Sequence, residues 1–239
     1  MKLPEVDVLV IGAHPDDAEF SMGGTLCRLA ELGYKIGLID LTRGELGSKG
    51  DPQRRRQEAL AAAQVYGASF RECLDLGDGR VRDDVETAFR IAAAIRRCRP
   101  SLVFTHHGDD RHPDHRGAHD LVSRAVFQAS LRSLDLGVPY HVPDRLVFFA
   151  TNEVIRPDFL VDVTDVWERK IACLEAFASQ FVDETAEIDQ VYFGISNFRL
   201  ALEAQAALYG RQIGVRFAEA FTTRDGIPVA DPVKTFRRR

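Results

Sequence analysis

The stretch Val6–Thr25, VDVLVIGAHPDDAEFSMGGT, restricts what the chain can become more than any other. Val8, Leu9, Val10 and Ile11 form an apolar run without polar alternation, closed by a glycine. That is the pattern of a strand covered on both faces in a parallel sheet. The next residues, His14-Pro15-Asp16-Asp17, are ones for which an apolar core has no use. Proline disfavours helix at the residue before it, so His14 is expected to stay extended at the strand end. Pro15 suits the first turn of a helix, whose positive N-terminal end favours Asp16, Asp17 and Glu19. One imidazole and two carboxylates are thus predicted at the carboxyl edge of a strand, where open α/β sheets bind their ligands. Aspartate at a helix start is often only a cap, so the functional reading leans on a second copy of the pattern.

That copy is His112-Pro113-Asp114-His115, which comes after the apolar Leu102-Val103-Phe104. It opens a segment with helical spacing at Leu121, Val122, Ala125 and Val126. Further helices are expected over about Asp17–Leu32, Gln53–Tyr66, Asp83–Arg97, Asp165–Ala178 and Asn197–Arg211, and the second motif's helix over His115–Leu131. Strands are expected over Lys35–Leu41, Phe70–Leu76, Leu146–Ala150 and Phe159–Val163, and Phe217–Phe221 is a short apolar segment. Leu26, Leu29, Ala30 and Leu32 give the first helix an apolar stripe, and Gly33 ends it. Gly23-Gly24 sits inside that helix, where glycine costs about 1 kcal/mol relative to alanine. Close packing on the sheet, or close approach to the His14–Asp17 turn, is the expected compensation. Thr42–Pro52, TRGELGSKGDP, is a glycine-rich polar loop of a length that usually has a function. Strand and helix alternate over residues 1–130, which predicts a Rossmann-like, doubly wound, mostly parallel α/β sheet with helices on both faces. Residues 131–239 are expected to cover that sheet and wall the site, with 1–239 forming one domain.

Composition excludes several classes. With 45% hydrophobic and 28% charged residues and a formal net charge of −5, the chain is ordinary for a soluble globular protein. That balance argues against broad nucleic-acid binding, in spite of the clusters Arg54-Arg55-Arg56 and Arg237-Arg238-Arg239. No apolar run approaches the ~20 residues of a membrane span, and the first ten residues are too short in apolar content for a signal peptide. Cys27, Cys73, Cys98 and Cys173 make no C-x-x-C pair and read as core hydrophobes in a reducing compartment. A cytoplasmic location is expected.

Two such turns on two strands of one sheet bring their side chains to the same edge. A zinc-type cation takes nitrogen and oxygen donors, usually three from the protein, and keeps a position open for water. His14, Asp17 and one histidine of the second motif supply that set. His115 is the better candidate, because a side chain at the helix start can turn back toward the first motif. His112, before the proline, is free for another role. Hydrolysis also needs a base for the water and a group to stabilise the oxyanion. Asp16 is placed to take the proton, and His112 is the candidate acid or oxyanion stabiliser. Asp114 could orient the His112 imidazole and favour its charged form. Arg55 could hold a carboxylate or sugar oxygens, and Arg111, beside the second motif, is a further candidate for substrate contact. His106, His107, His119 and His141 read as loop or surface residues and are assigned no chemistry.

A-H-P-D-D after the first strand, T-R-G-E-x-G-x-x-G followed by R-x-x-E, and H-P-D-H after the fourth strand closely resemble the LmbE-like/PIG-L family of zinc-dependent N-deacetylases. Ser179-Gln180-Phe181 and Gly214–Phe221 look like the bacillithiol-biosynthesis branch of that family. The resemblance implies zinc, or alternatively Fe2+, on His14, Asp17 and His115, with Asp16 as general base. It implies His112 as acid or oxyanion stabiliser with Asp114 behind it, and Arg55 in contact with substrate, the register among Arg54, Arg55 and Arg56 being open by one. An N-acetylglucosaminyl small molecule is the implied partner, GlcNAc–malate first and diacetylchitobiose next, and relatives imply a homo-oligomer. One departure is Phe217, where this branch often has tyrosine, so any hydroxyl contact made there is missing. Two rival classes are a nucleotide- or sugar-binding module, disfavoured by the absence of G-x-G-x-x-G after the first strand, and a phosphoesterase, whose sites often hold two metals where ligands for one are found.

Overall fold

The computed structural model describes residues 3–181 and 198–237. Its strands are β1 (Val8–Gly12), β2 (Ile36–Asp40), β3 (Phe70–Cys73), β4 (Leu102–His106), β5 (Arg145–Phe149), β6 (Phe159–Asp162) and β7 (Ala218–Thr223). They form a seven-stranded sheet in the order β3-β2-β1-β4-β5-β7-β6. The first five are parallel, while β7 runs antiparallel between β5 and β6. The helices are α1 (Asp17–Glu31), α2 (Pro52–Val65), α3 (Val85–Cys98), α4 (Pro113–Ser130), α5 (Trp167–Glu175), α6 (Ala178–Phe181), α7 (Phe198–Ile213) and α8 (Pro232–Phe236).

Strand β1 explains why the sheet is covered on both sides. Val8 and Val10 join one buried cluster with residues of α1, α5 and α7, and Leu9 and Ile11 join another with α3 and α4. Alternate side chains of a strand point to opposite faces, so an all-apolar run demands a helical layer on each. The second half does more than cover this sheet, as the sequence alone suggested. It supplies three of the seven strands, and the apolar segment at Phe217–Phe221 becomes most of β7. Phe217 is buried and its ring stacks on Trp167 at 4.1 Å. Among the described residues, Leu32 falls outside the α1 stripe and is exposed, and Cys73 is exposed at the end of β3 rather than buried. The other three cysteines are buried. The predicted start of the last helix at Asn197 and the terminal Arg238 and Arg239 lie outside the described residues. No described helix is long and apolar enough to cross a membrane.

Helix α1 is broken at Met22 (φ −138°, ψ 21°), which leaves unpaired amides at the start of its second half. Glu219 of β7 meets them, accepting from Gly24 N at 2.9 Å, Thr25 N at 2.6 Å and Thr25 Oγ1 at 2.6 Å. Lys170 of α5 closes the other side, donating to Phe20 O at 2.9 Å and pairing with Glu219 at 2.5 Å. Gly24 is needed because a Cβ there would lie 2.7 Å from Val163 Cβ. Its compensation is thus packing against Val163 and Glu219, not approach to the His14–Asp17 turn. At the opposite face Arg96 of α3 is buried and donates to the carbonyls of Gln128, Ala129, Leu131, Leu134 and Val138, fixing the end of α4.

Glu219→Ala would strip the broken helix of its cap and take from buried Lys170 its carboxylate partner. Urea denaturation should show a loss of about 3–5 kcal/mol, the range for breaking a buried ion pair on one side. An unchanged midpoint would mean that the break in α1 is stable without Glu219.

Candidate metal centre

The sheet order reverses between β1 and β4, and this switch point is where doubly wound sheets open a crevice. Val10 pairs with Phe104, which sets Gly12 level with His106 at the C-terminal edge. The chain leaves β1 through Ala13 and His14 into α1, and it leaves β4 through residues 107–112 into α4. His112 caps α4, its Nδ1 accepting from Asp114 N at 3.2 Å, with Pro113 in the first turn.

Donor atoms of His14, Asp17 and His115 lie within 4.8 Å of one another, and all three residues are buried. Those of His14, His112 and Asp114 satisfy the same distance. The first group is the better cage because each imidazole already has a carboxylate behind it. His14 Nε2 is 3.1 Å from Asp78 Oδ1 and 3.4 Å from Asp114 Oδ2, leaving Nδ1 turned toward Asp17 at 3.2 Å. His115 Nδ1 is 3.0 Å from Asp110 Oδ2, and its Nε2 is buried with no hydrogen-bond partner, 3.3 Å from Asp17 Oδ1. An orphaned imidazole nitrogen facing a buried carboxylate fits a cation bound between them, with the outer carboxylates orienting the rings. The donor set of two nitrogens and one carboxylate oxygen suits zinc or iron(II).

The charges follow from this crowding. Burial alone would raise Asp17, but His115, His106 and His14 pull it well below the usual carboxylate range. Burial would likewise depress His115, yet Asp17 and the hydrogen bond to Asp110 hold it up at about 9. His14 is raised as well, its burial outweighed by Asp17, Asp114 and Asp78. Asp78 and Asp110 are both depressed, because their histidine partners outweigh burial. Asp16 is pushed up by burial, partly offset by Arg55.

Several sequence-based expectations meet a different arrangement. The Asp114 carboxylate does not stand behind His112. It accepts from Gly79 N at 2.7 Å and Val81 N at 3.2 Å and faces His14. His112 accordingly is lowered by burial and by the neighbouring His14 and His115, not held in its charged form. Of Arg54, Arg55 and Arg56 only Arg55 is buried; its Nη2 donates to Asp16 Oδ2 at 3.0 Å and its Nη1 to Gly44 O at 2.8 Å. Gly44 has φ +65°, and a Cβ there would lie 2.0 Å from Arg55 Nη1, so the T-R-G-E loop requires glycine for this arginine to pass. Arg111 is exposed on the loop before α4. Glu58, three residues after Arg55, is bound by Ser179 N at 2.9 Å and Ser179 Oγ at 2.6 Å, and Gln180 donates to Lys49 O at 2.6 Å. The S-Q-F segment therefore pins the loop after β2.

Sequence reasoning passed over Asp78, Asp110 and His106. His106 read as a surface histidine but is fully buried beside Asp17, at 3.1 Å from its Oδ2. Its signal was position: a histidine closing a buried strand a few residues before H-P-D-H.

Residues 9–126 match the family described as PIG-L: GlcNAc-PI de-N-acetylase. The chain is 32% identical to 4-oxalmesaconate hydratase of Pseudomonas putida over 197 residues, 75% of this chain and 76% of that protein. It is 30% identical to diacetylchitobiose deacetylase of Thermococcus kodakarensis over 235 residues, 92% of this chain and 84% of that protein. A solved structure of a conserved protein from Thermus thermophilus superposes with a TM-score of 0.85 at 35% identity, covering 95% of this chain and 98% of that one.

Metal uptake should compete with protons. His115, raised when folded, contributes stability to the metal-free protein that is full below about 6.5 and is lost as pH rises through about 9. Cation binding must expel that proton, so apparent affinity should climb with pH across this window. Titration of the stripped protein in buffers of different ionisation heat tests this; pH-independent affinity with no proton release would contradict it.

Proposed function

Because the chain belongs to the PIG-L family of de-N-acetylases, we propose that it is a zinc-dependent hydrolase removing the acetyl group from an N-acetylglucosaminyl small molecule. The reading rests above all on the convergence of His14, Asp17 and His115 around the unpartnered His115 Nε2. His14 Nδ1, an oxygen of Asp17 and His115 Nε2 would hold the cation, zinc first and iron(II) second. When bound, it would supply Lewis acidity toward the acetamide carbonyl and lower the pKa of water.

The remaining chemistry belongs to the chain. Asp16 takes a proton from the attacking water on its carboxylate, and its raised pKa brings it closer to the neutral range in which a base works best. Arg55 fixes the orientation of that carboxylate from the far side. His112, neutral and with Nδ1 occupied by the Asp114 amide, carries its proton on Nε2 and can donate it as a hydrogen bond to the developing oxyanion. The proton held by Asp16 then passes to the nitrogen of the leaving amine, giving acetate and a free glucosamine. Asp114 acts on the other side, tying the loop Gly79–Val81 to α4 behind His14.

GlcNAc–malate is the proposed substrate, as a step toward bacillithiol, with diacetylchitobiose as the alternative. The 4-oxalmesaconate hydratase relative favours one second reading, addition of water to an unsaturated acid at the same centre. The chain is proposed to work in the cytoplasm and as a homo-oligomer, without nucleic acid or membrane partners.

An acetate-release assay on GlcNAc–malate, GlcNAc and diacetylchitobiose, run beside a hydration assay on an unsaturated dicarboxylate, separates these readings. Acetate release from the malate conjugate is expected; hydration without acetate release would reverse the assignment. Asp16→Asn should keep its metal while losing about 10²–10⁴-fold in kcat, the range for a general base. Wild-type turnover in that variant would remove Asp16 from the mechanism.

A further inference from the structure

His106 is fully buried where β4 ends, yet it belongs to neither H-P-D motif. Its ring stacks on His115 at 4.1 Å with an interplanar angle of 18° and meets Phe149 edge-on at 4.7 Å. Nε2 lies 3.1 Å from Asp17 Oδ2 and 3.0 Å from Ala13 N, whose amide hydrogen points at it. Nδ1 lies 3.2 Å from Thr151 Oγ1, and Thr151 Oγ1 is 3.0 Å from Ser21 Oγ. One imidazole thus touches Asp17 through a nitrogen and, through its face, His115, whose orphaned Nε2 faces Asp17.

We propose that His106 is a positioning residue for the cation centre: it fixes Asp17 and the plane of His115, and the Thr151–Ser21 hydroxyl pair fixes His106. The proposal rests on the reading that His14, Asp17 and His115 hold the metal. His106 is not a ligand in it, because Nε2 is occupied by the Ala13 amide and the Asp17 carboxylate. Nε2 cannot accept from Ala13 and donate to Asp17 at once. A hydroxyl can donate or accept, so Thr151 supports the ring in either proton arrangement. The same hydroxyl pair joins three parts of the fold, since Ser21 lies on α1, His106 on β4 and Thr151 just past β5. A shift of any of them reaches the ligands through this ring.

Two substitutions separate hydrogen bonding from packing. His106→Phe keeps a flat ring for His115 and Phe149 but no nitrogen; His106→Gln restores a polar atom near Nε2 without the ring. Each protein is stripped of metal, checked for folding by its melting temperature, and titrated with Zn2+ in competition with a chelator and with Co2+ by its visible spectrum. His106→Phe should bind about 10–100-fold more weakly, the usual effect of losing a group that orients a metal ligand, with an altered Co2+ spectrum. His106→Gln should recover part of the affinity lost in His106→Phe, the stacking on His115 still being absent, and Thr151→Val should show a smaller loss than His106→Phe. A folded His106→Phe protein with wild-type affinity and spectrum overturns the proposal. If that variant does not fold, unchanged Zn2+ affinity in Thr151→Val overturns it. A wild-type chain that takes up neither ion sinks the centre itself, which is a different failure.

Discussion

The Asp17 carboxylate is buried at the switch point with imidazoles of His14, His106 and His115 around it and the His14 amide donating to it at 2.7 Å. A carboxylate taken out of water is costly unless positive charge and hydrogen bonds surround it. Here those partners are themselves titratable, so the negative charge can be met either by protons on the rings or by a dication in their place. The outer carboxylates of Asp78 and Asp110 make both states tolerable, since each accepts from the far nitrogen of its histidine. The chemistry assigned to this edge derives from that exchange.

Around this pair of turns the fold places ties from distant parts of the chain. Arg55 crosses from α2 to Asp16 over a glycine, Asp114 reaches the backbone of residues 79–81, and Asn152 donates to Asp110 at 2.9 Å. The loops after β2, β3, β4 and β5 are therefore not independent lobes around a hole. They are cross-linked by charge-assisted hydrogen bonds to the same residues that face the site, a means of holding side chains within a fraction of an ångström.

The first five strands and the two H-P-D turns were readable because their signals are local. An apolar run of strand length, a proline after histidine and a helical stripe each lie within a dozen residues. The antiparallel insertion of β7 was not readable, because Ala218–Thr223 is a weak strand by pattern and its neighbours β5 and β6 are distant in sequence. Gly23-Gly24 pointed to something unusual in α1, but the break at Met22 needed Glu219 to explain it. Asp78 and Asp110 are single acids in polar loops, and nothing in their immediate sequence says that a histidine points at them. The role of Arg55 was half legible: the motif marked the residue, while its partner Asp16, 39 positions away, came only with the fold.

Glu219 reaches back 195 positions to close the gap in the helix that carries Asp16 and Asp17. During synthesis both histidine motifs leave the ribosome well before this acid does. The nascent chain can assemble its parallel strands early, but Gly24 and Thr25 wait for β7 to slot between β5 and β6. Closure of this edge is in that sense a late event, since the acid that caps the second half of α1 is made 195 positions after the glycine it binds.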